Sequence, residues 1–299
     1  MVRRPRHPQR GSGTDPGRRG AALKVAGGRF TGERLHAEPT AGAGNGALFS
    51  VDLARHRAAY RYAIELWRAR KGGTRARGSL LDLGSGAGYG TAQLAELDAT
   101  VIGLDRELPD RAGVERRPSF VLGEVERTPF TPASFDLVAS FQVIEHLERP
   151  DTYLSEIARV LDLEGVALLT TPNRATSDGL NPYHVREYLA DELGEMLARH
   201  FGRVELLGVG CGARVAPYFE SRRRTLARVE RLDFLRLRHR LPRALRLWLF
   251  ARGAVVVRRA LRRGGTLVAA GDEDFPIGPV GEATLDLLGV CSQPRERLR

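Results

Sequence analysis

The run Leu80-Leu81-Asp82-Leu83-Gly84-Ser85-Gly86-Ala87-Gly88-Tyr89-Gly90, followed by Val101-Ile102-Gly103-Leu104-Asp105, constrains this chain more than any other feature. It reads as a buried strand, a glycine turn and a second strand that ends in a carboxylate. Glycines let backbone press against a ligand where a Cβ would collide, and an acid past the second strand can accept both hydrogen bonds of a ribose diol. The pyrophosphate form of this turn needs Gly-x-Gly-x-x-Gly. Counting from Gly84 puts Tyr89 in the sixth place and counting from Gly86 puts Thr91 there, so both registers fail for a dinucleotide.

Further strands follow at short intervals. Phe120 to Glu124 is a third, ending in an acid, Ser134 to Ser140 a fourth, Gly165 to Thr171 a fifth and Val204 to Gly208 a sixth, with a helix from Ala190 to His200. Alternating strands and helices specify an α/β fold with a doubly wound, Rossmann-like parallel sheet and right-handed crossovers. A helix over 51–70 precedes the sheet, placing Leu53, Tyr60, Ile64 and Trp67 near one face, Arg57 at its margin, and Arg55 and Glu65 turned away.

The glycine turn, with a carboxylate two residues before it, resembles the motif of the class I S-adenosylmethionine-dependent methyltransferases. That resemblance implies seven strands, the last of them, read at Glu282 to Cys291, antiparallel between the fifth and sixth. It implies S-adenosyl-L-methionine as cofactor. Gly84, Gly86 and Gly88 would shape its floor, Asp82 would orient its amino-acid end, Asp105 would hold the ribose, Glu124 and the Val125 amide would meet the adenine, and Gln142 would line the same site.

Phe141 to Leu147 follows the fourth strand, on the side where ligands of such folds bind. Glu145 and His146 there are placed for acid–base work on an acceptor, since a histidine can take a hydroxyl proton near neutral pH. Thr171-Pro172-Asn173 and Asn181 to Tyr188 bring His184 to the same sheet edge. The Glu-His pair with a distant His is similar to metal-dependent family branches that act on small RNA or ubiquinone precursors. Those branches use Glu-x-x-Glu-His for a divalent metal, and here Gln142 stands at the first Glu. Glu145, His146 and His184 either hold such an ion or serve directly as general base and substrate hydrogen-bonding groups.

A closer resemblance, over most of residues 30–210 and the last strand, is to bacterial methyltransferases of polysaccharide and envelope-glycan synthesis. It rests on Thr31-Gly32-Glu33-Arg34, Phe141 to Leu147, Thr171 to Asn173, Asn181 to Tyr188 and Leu285-Asp286-Leu287. It implies a glycan or other small-molecule hydroxyl as substrate, with Arg186 and Glu187 suited to a polyol and Tyr183 or Tyr188 to stacking on a sugar. A quinone-like metabolite, RNA, or a non-catalytic docking module that keeps the cofactor pocket are the competing readings.

Charge bears on partners. Of a formal +11, residues 1–30 contribute +7 and residues 214–264 contribute +13, leaving the remainder at −9. An acidic body with basic appendages argues against nucleic acid as partner. Residues 1–28 lack the apolar side chains to offset ordering entropy and read as a disordered basic tail, leaving 29–299 as the methyltransferase domain. The Arg-rich stretch 214–264, with leucines across Pro242 and Trp248 at an interface-like position, reads as a basic helical insertion before the last strand. It is either a lid on the site or a peripheral contact with anionic lipid at the inner membrane face. Two cysteines, no apolar run near the roughly 20 residues of a membrane span, and no apolar leader lead to a cytoplasmic expectation.

Overall fold

The computed structural model describes residues 50–70, 78–109, 118–179, 181–232 and 269–295, with side chains of the last long helix described as far as Arg224. The basic tail 1–28, the Thr31 to Arg34 motif and the 233–264 part of the insertion lie outside the described residues.

Eight strands form one sheet: β1 (Gly78–Leu83), β2 (Ala99–Asp105), β3 (Ser119–Leu122), β4 (Phe135–Phe141), β5 (Leu161–Pro172), β6 (Phe201–Val209), β7 (Ile277–Pro279) and β8 (Asp286–Pro294). Their order is β3-β2-β1-β4-β5-β8-β6-β7. The first five are mutually parallel, and β8 runs antiparallel between β5 and β6, where it was expected. The order reverses between β1 and β4, and the crevice beyond the carboxyl ends of strands at such a reversal is where open α/β sheets bind ligands.

Among the described residues the sheet has eight strands, where seven were expected. β7 is a three-residue edge strand containing Gly278 and Pro279, too short for any alternation to be legible in sequence. The last strand also starts later than its apolar pattern implies. Glu282 and Ala283 belong to a turn closed by Thr284 N–H on the Gly281 carbonyl, and pairing begins only at Asp286.

Near-continuous apolar strands arise because both faces of the sheet are covered. On one face Leu81, Leu83, Val138, Ala167 and Leu169 pack under α3 (Pro150–Val160) and α4 (Ala190–Ala198) through Tyr153, Ile157, Leu193 and Leu197. The alternate residues Leu80, Leu137, Ala139, Val166 and Leu168 meet α1 (Ser50–Arg70) and α2 (Tyr89–Leu94) through Tyr60, Ala63, Trp67 and Leu94. Truncating any of these leucines to alanine costs about 2–5 kcal/mol.

A smaller cluster ties the first turns of α1 to β6, Phe275 and α5 (Ala216–Leu232) through Val51, Ala58, Val209 and Tyr218. Arg222 of α5 sits 3.7 Å from Asp52 and 2.9 Å from Asp178, so the described start of the basic insertion packs onto the cap helix. Among the described residues no helix is long and apolar enough to cross a membrane.

Arg55 requires a correction. Helical spacing turned it away from the core, yet its Nε lies 3.2 Å from the carboxylate of Asp286, which is almost fully buried. Helical periodicity cannot anticipate this, because the acid it meets opens β8, far along the chain.

Candidate active site

The glycine turn begins where β1 ends. Gly84 and Ser85 donate backbone hydrogen bonds of 2.8 and 3.0 Å to the Leu104 carbonyl, and Gly86 donates one of 2.8 Å to the Asp105 carboxylate. Gly84, Gly86 and Gly88 all have positive φ, at 83°, 54° and 81°. At Gly86 a Cβ would meet nothing within 4 Å, so the loop borders open space at its centre. The sequence motif therefore becomes one object: three left-handed glycines pinned to the end of β2 by the acid expected there. These residues fit an adenosyl cofactor, since the space is the cradle a side chain would otherwise fill and Asp105 borders it.

Asp82 lies beneath the loop, fully buried. Its two carboxylate oxygens accept from Tyr60 Oη at 3.0 Å and Thr91 Oγ1 at 2.6 Å. Burial raises its pKa to about 6 against both hydrogen bonds. The carboxylate therefore joins the cap helix, the strand and the start of α2. Glu124, expected at the adenine, is exposed and paired with Arg106 Nε at 2.6 Å, while the Val125 side chain belongs to the core.

After β4 the chain turns sharply. Gln142 has φ of 58°, unusual for a residue with a side chain, and its N–H donates to the Thr170 carbonyl at 3.0 Å. Holding it there costs about 1–3 kcal/mol, and such strain clusters at functional sites. A single 3-10 turn, Ile144–His146, follows. Glu145 and His146 sit on that turn and do not cap α3, whose N-cap Arg149 receives no side-chain hydrogen bond.

Glu145 is fully buried, with Oε1 4.0 Å from His146 Nε2; the Thr171 hydroxyl acts on its carboxyl, yet neither oxygen has a partner at ordinary hydrogen-bond length among the described residues. Burial pushes its pKa up to about 8, with His184 opposing. Its backbone carbonyl accepts from Val185 N at 2.7 Å and Arg186 N at 3.2 Å, which anchors the 181–188 loop over the site. His146 Nδ1 lies 3.2 Å from the Tyr183 carbonyl. A carbonyl only accepts, so Nδ1 carries the hydrogen and Nε2 the lone pair. Burial, then His184, lower the His146 pKa to about 4, and the ring is neutral at neutral pH.

His184 packs edge-on against His146 with ring centroids 5.0 Å apart. Its Nδ1 is 2.6 Å from Glu187 Oε1, and its Nε2 is 2.9 Å from the Asn181 amide nitrogen, whose orientation follows from Tyr183 N–H on Asn181 Oδ1 at 3.1 Å. Burial works against the Glu187 charge, yet hydrogen bonds from His184 and Ser177 hold its pKa below the usual range. Of the two tyrosines expected to stack on a sugar, Tyr188 is corrected: it is fully buried, with the Arg186 guanidinium 5.1 Å over its ring. Tyr183 stays partly exposed.

Glu145, His146 and His184 each offer a donor atom within 4.8 Å of the others. This set fits a divalent cation only in part. It holds one carboxyl, Gln142 replaces a second, and His184 Nε2 already accepts from Asn181. Hard divalent ions favour charged oxygen ligands, which this set supplies only through Glu145.

Asp286 was quoted in the resemblance but not assigned to the site. It opens β8 beside Pro172, buried, with Oδ2 on Arg55 and Oδ1 without a hydrogen-bond partner among the described residues. Burial raises its pKa, with Arg55 and the Gln142 amide opposing, and its charge in turn acts on Glu145. Tyr60, which holds Asp82 from the cap helix, is another contributor that local sequence did not single out.

Residues 81–169 match the family described as Methyltransferase domain. A probable S-adenosylmethionine-dependent methyltransferase of Mycolicibacterium smegmatis is 43% identical over 146 residues, 46% of this chain and 57% of that protein. One of Mycobacterium tuberculosis is 38% identical over 126 residues, 40% of this chain and 46% of that protein. A malonyl-[acyl-carrier protein] O-methyltransferase of Laribacter hongkongensis is 34% identical over 108 residues, 31% of this chain and 36% of that protein. The chain thus spans about half the length, or less, of the curated relatives it matches.

Proposed function

Residues 81–169 are a class I S-adenosylmethionine-dependent methyltransferase domain, and from that premise we propose that this chain methylates an oxygen, the hydroxyl of a saccharide or lipid-linked glycan. The observation that carries the acceptor reading is the pair of buried acids, Glu145 and Asp286, each with carboxyl oxygen uncommitted among the described residues. A protonated Glu145 both donates and accepts, which is the complement of a hydroxyl-rich ligand. The oxygen named as acceptor in the malonyl-carrier-protein relative supports the same reading.

Bound at the glycine turn, S-adenosylmethionine supplies a methyl group activated by its sulfonium. The chain's own task is to align an acceptor oxygen behind that carbon and to receive its proton. A hydrogen bond from protonated Glu145 and one accepted by the Asp286 carboxylate orient the acceptor. His146 Nε2 takes the proton, its tautomer fixed by the Tyr183 carbonyl. A base of pKa about 4 is competent here, because the hydroxyl proton becomes strongly acidic as the carbon–oxygen bond forms. His184, braced by Glu187 and Asn181, fixes the loop that closes the site.

The test is transfer of isotopically labelled methyl from S-adenosylmethionine in cells with and without the gene, followed by untargeted comparison of glycans and lipids. A label on a sugar oxygen that depends on the gene is the expected result. Label confined to quinone-like metabolites or RNA would replace the acceptor class, and no gene-dependent label would remove the activity.

A further inference from the structure

We propose that Arg57 of the cap helix binds the α-carboxylate at the amino-acid end of the cofactor. The inference rests on the cofactor reading above and extends it to a residue outside the glycine motif.

Three arginines of α1 have a covered Nε: Arg55, Arg57 and Arg61. Two have acids to meet. Arg55 pairs with Asp286 at 3.2 Å, and Arg61 with Glu65 and Asp272, each at 3.0 Å. Arg57 is half-buried and has neither hydrogen bond nor ion pair among the described residues. A guanidinium does not shed its proton, so one whose Nε is covered and which meets no acid is suited to receive an anion.

Its position identifies that anion. Arg57 lies one helical turn before Tyr60, hence on the same face of α1. The Tyr60 hydroxyl reaches Asp82 under the glycine turn, and its ring meets that of Tyr89 edge-on at 5.9 Å. Tyr89 is the first residue of α2, directly after Gly88. Burial and Asp82 raise the Tyr89 pKa, and the Arg57 charge opposes them, in keeping with a guanidinium on the Tyr60 face of α1 near Tyr89. His56, whose Nδ1 is 3.0 Å from the Tyr89 hydroxyl, adds no charge, since burial and then Arg55 push its pKa down to about 3.

With ribose at the end of β2 and the transferable methyl facing the turn after β4, the strand between them, β1, is left for the amino-acid end. Tyr89, on which the Arg57 charge acts, opens α2 directly after the glycine turn that ends β1. The carboxylate is the only anionic group of the cofactor, and its two oxygens match a guanidinium fork.

The discriminating experiment is calorimetric titration of the full chain and Arg57→Met with S-adenosylhomocysteine and with 5′-methylthioadenosine, which lacks the amino-acid end. For Arg57→Met, S-adenosylhomocysteine affinity is expected to fall about 10- to 100-fold, the worth of a charged hydrogen-bonded contact, while 5′-methylthioadenosine affinity holds. Arg57→Lys should recover part of the loss, as a charge without the fork. Unchanged S-adenosylhomocysteine affinity, or equal losses for both ligands, overturns the proposal and leaves the cofactor reading intact. If the unaltered chain binds neither ligand, the cofactor reading itself falls.

Discussion

The two halves of the crevice are built on different plans. The half after β1 and β2 is made of backbone: three left-handed glycines within five residues, held by amide hydrogen bonds to Leu104 and Asp105. The half after β4, β5 and before β8 is made of side chains from separate segments, with Glu145, His146, His184 and Asp286 converging from turns far apart in sequence. Backbone geometry suits a ligand that never changes. Buried acids with uncommitted oxygens suit a ligand held by its own polar groups, and altering a side chain there leaves the glycine turn untouched. The division predicts that damage to one half spares the other.

The largest effect is expected at His146. His146→Ala should lower turnover by about 10²–10⁴-fold while S-adenosylhomocysteine affinity, read by calorimetry, stays unchanged. Loss of cofactor affinity would show that the halves are not separable, and unchanged turnover would remove His146 from proton transfer.

Asp82, at the seam between cap helix and sheet, gives the next effect, in stability. Its folded pKa of about 6 lies above the ordinary aspartate value, so the fold favours the protonated form. The associated stabilisation is complete below about pH 4 and is lost as pH rises through 6, on the order of 3 kcal/mol in all. Asp82→Asn cannot titrate, so its melting temperature relative to wild type should climb across that window. A difference that does not vary with pH would refute the assignment.

Asp105→Ala probes the backbone half from its edge. Cofactor affinity should drop about 10- to 30-fold as the charged acceptor disappears, with the residual rate at saturating cofactor retained. A collapse of turnover at saturation would mean that the carboxylate also shapes the acceptor half. Smallest is the response to a chelator: EDTA is expected to leave the methyl-transfer rate unchanged, and a rate lost to EDTA and restored by a divalent cation would transfer Glu145, His146 and His184 to an ion.

The unequal legibility of the halves has the same origin. Gly84, Gly86, Gly88 and Asp105 are readable because the turn is local and its conformational demand falls on residues that few others can replace. The antiparallel strand between β5 and β6 followed from the resemblance, although its start at Asp286 did not. Arg55 was misplaced and Asp286 left unassigned because each is defined by the other, across a helix and a strand more than 200 residues apart. Tyr188 reads like an exposed aromatic of a polar loop, yet it belongs to the same apolar cluster as Leu193 and Leu197, with Arg186 over its ring.

By itself, then, the sequence determined a doubly wound sheet, its glycine turn and the carboxylate beyond it, since those depend on short-range sterics and on apolar runs that bury both faces. The tertiary structure decided which acids are stripped of water and which arginines meet them. Those outcomes depend on what distant segments bring to the same few ångströms, and no local pattern carries that information.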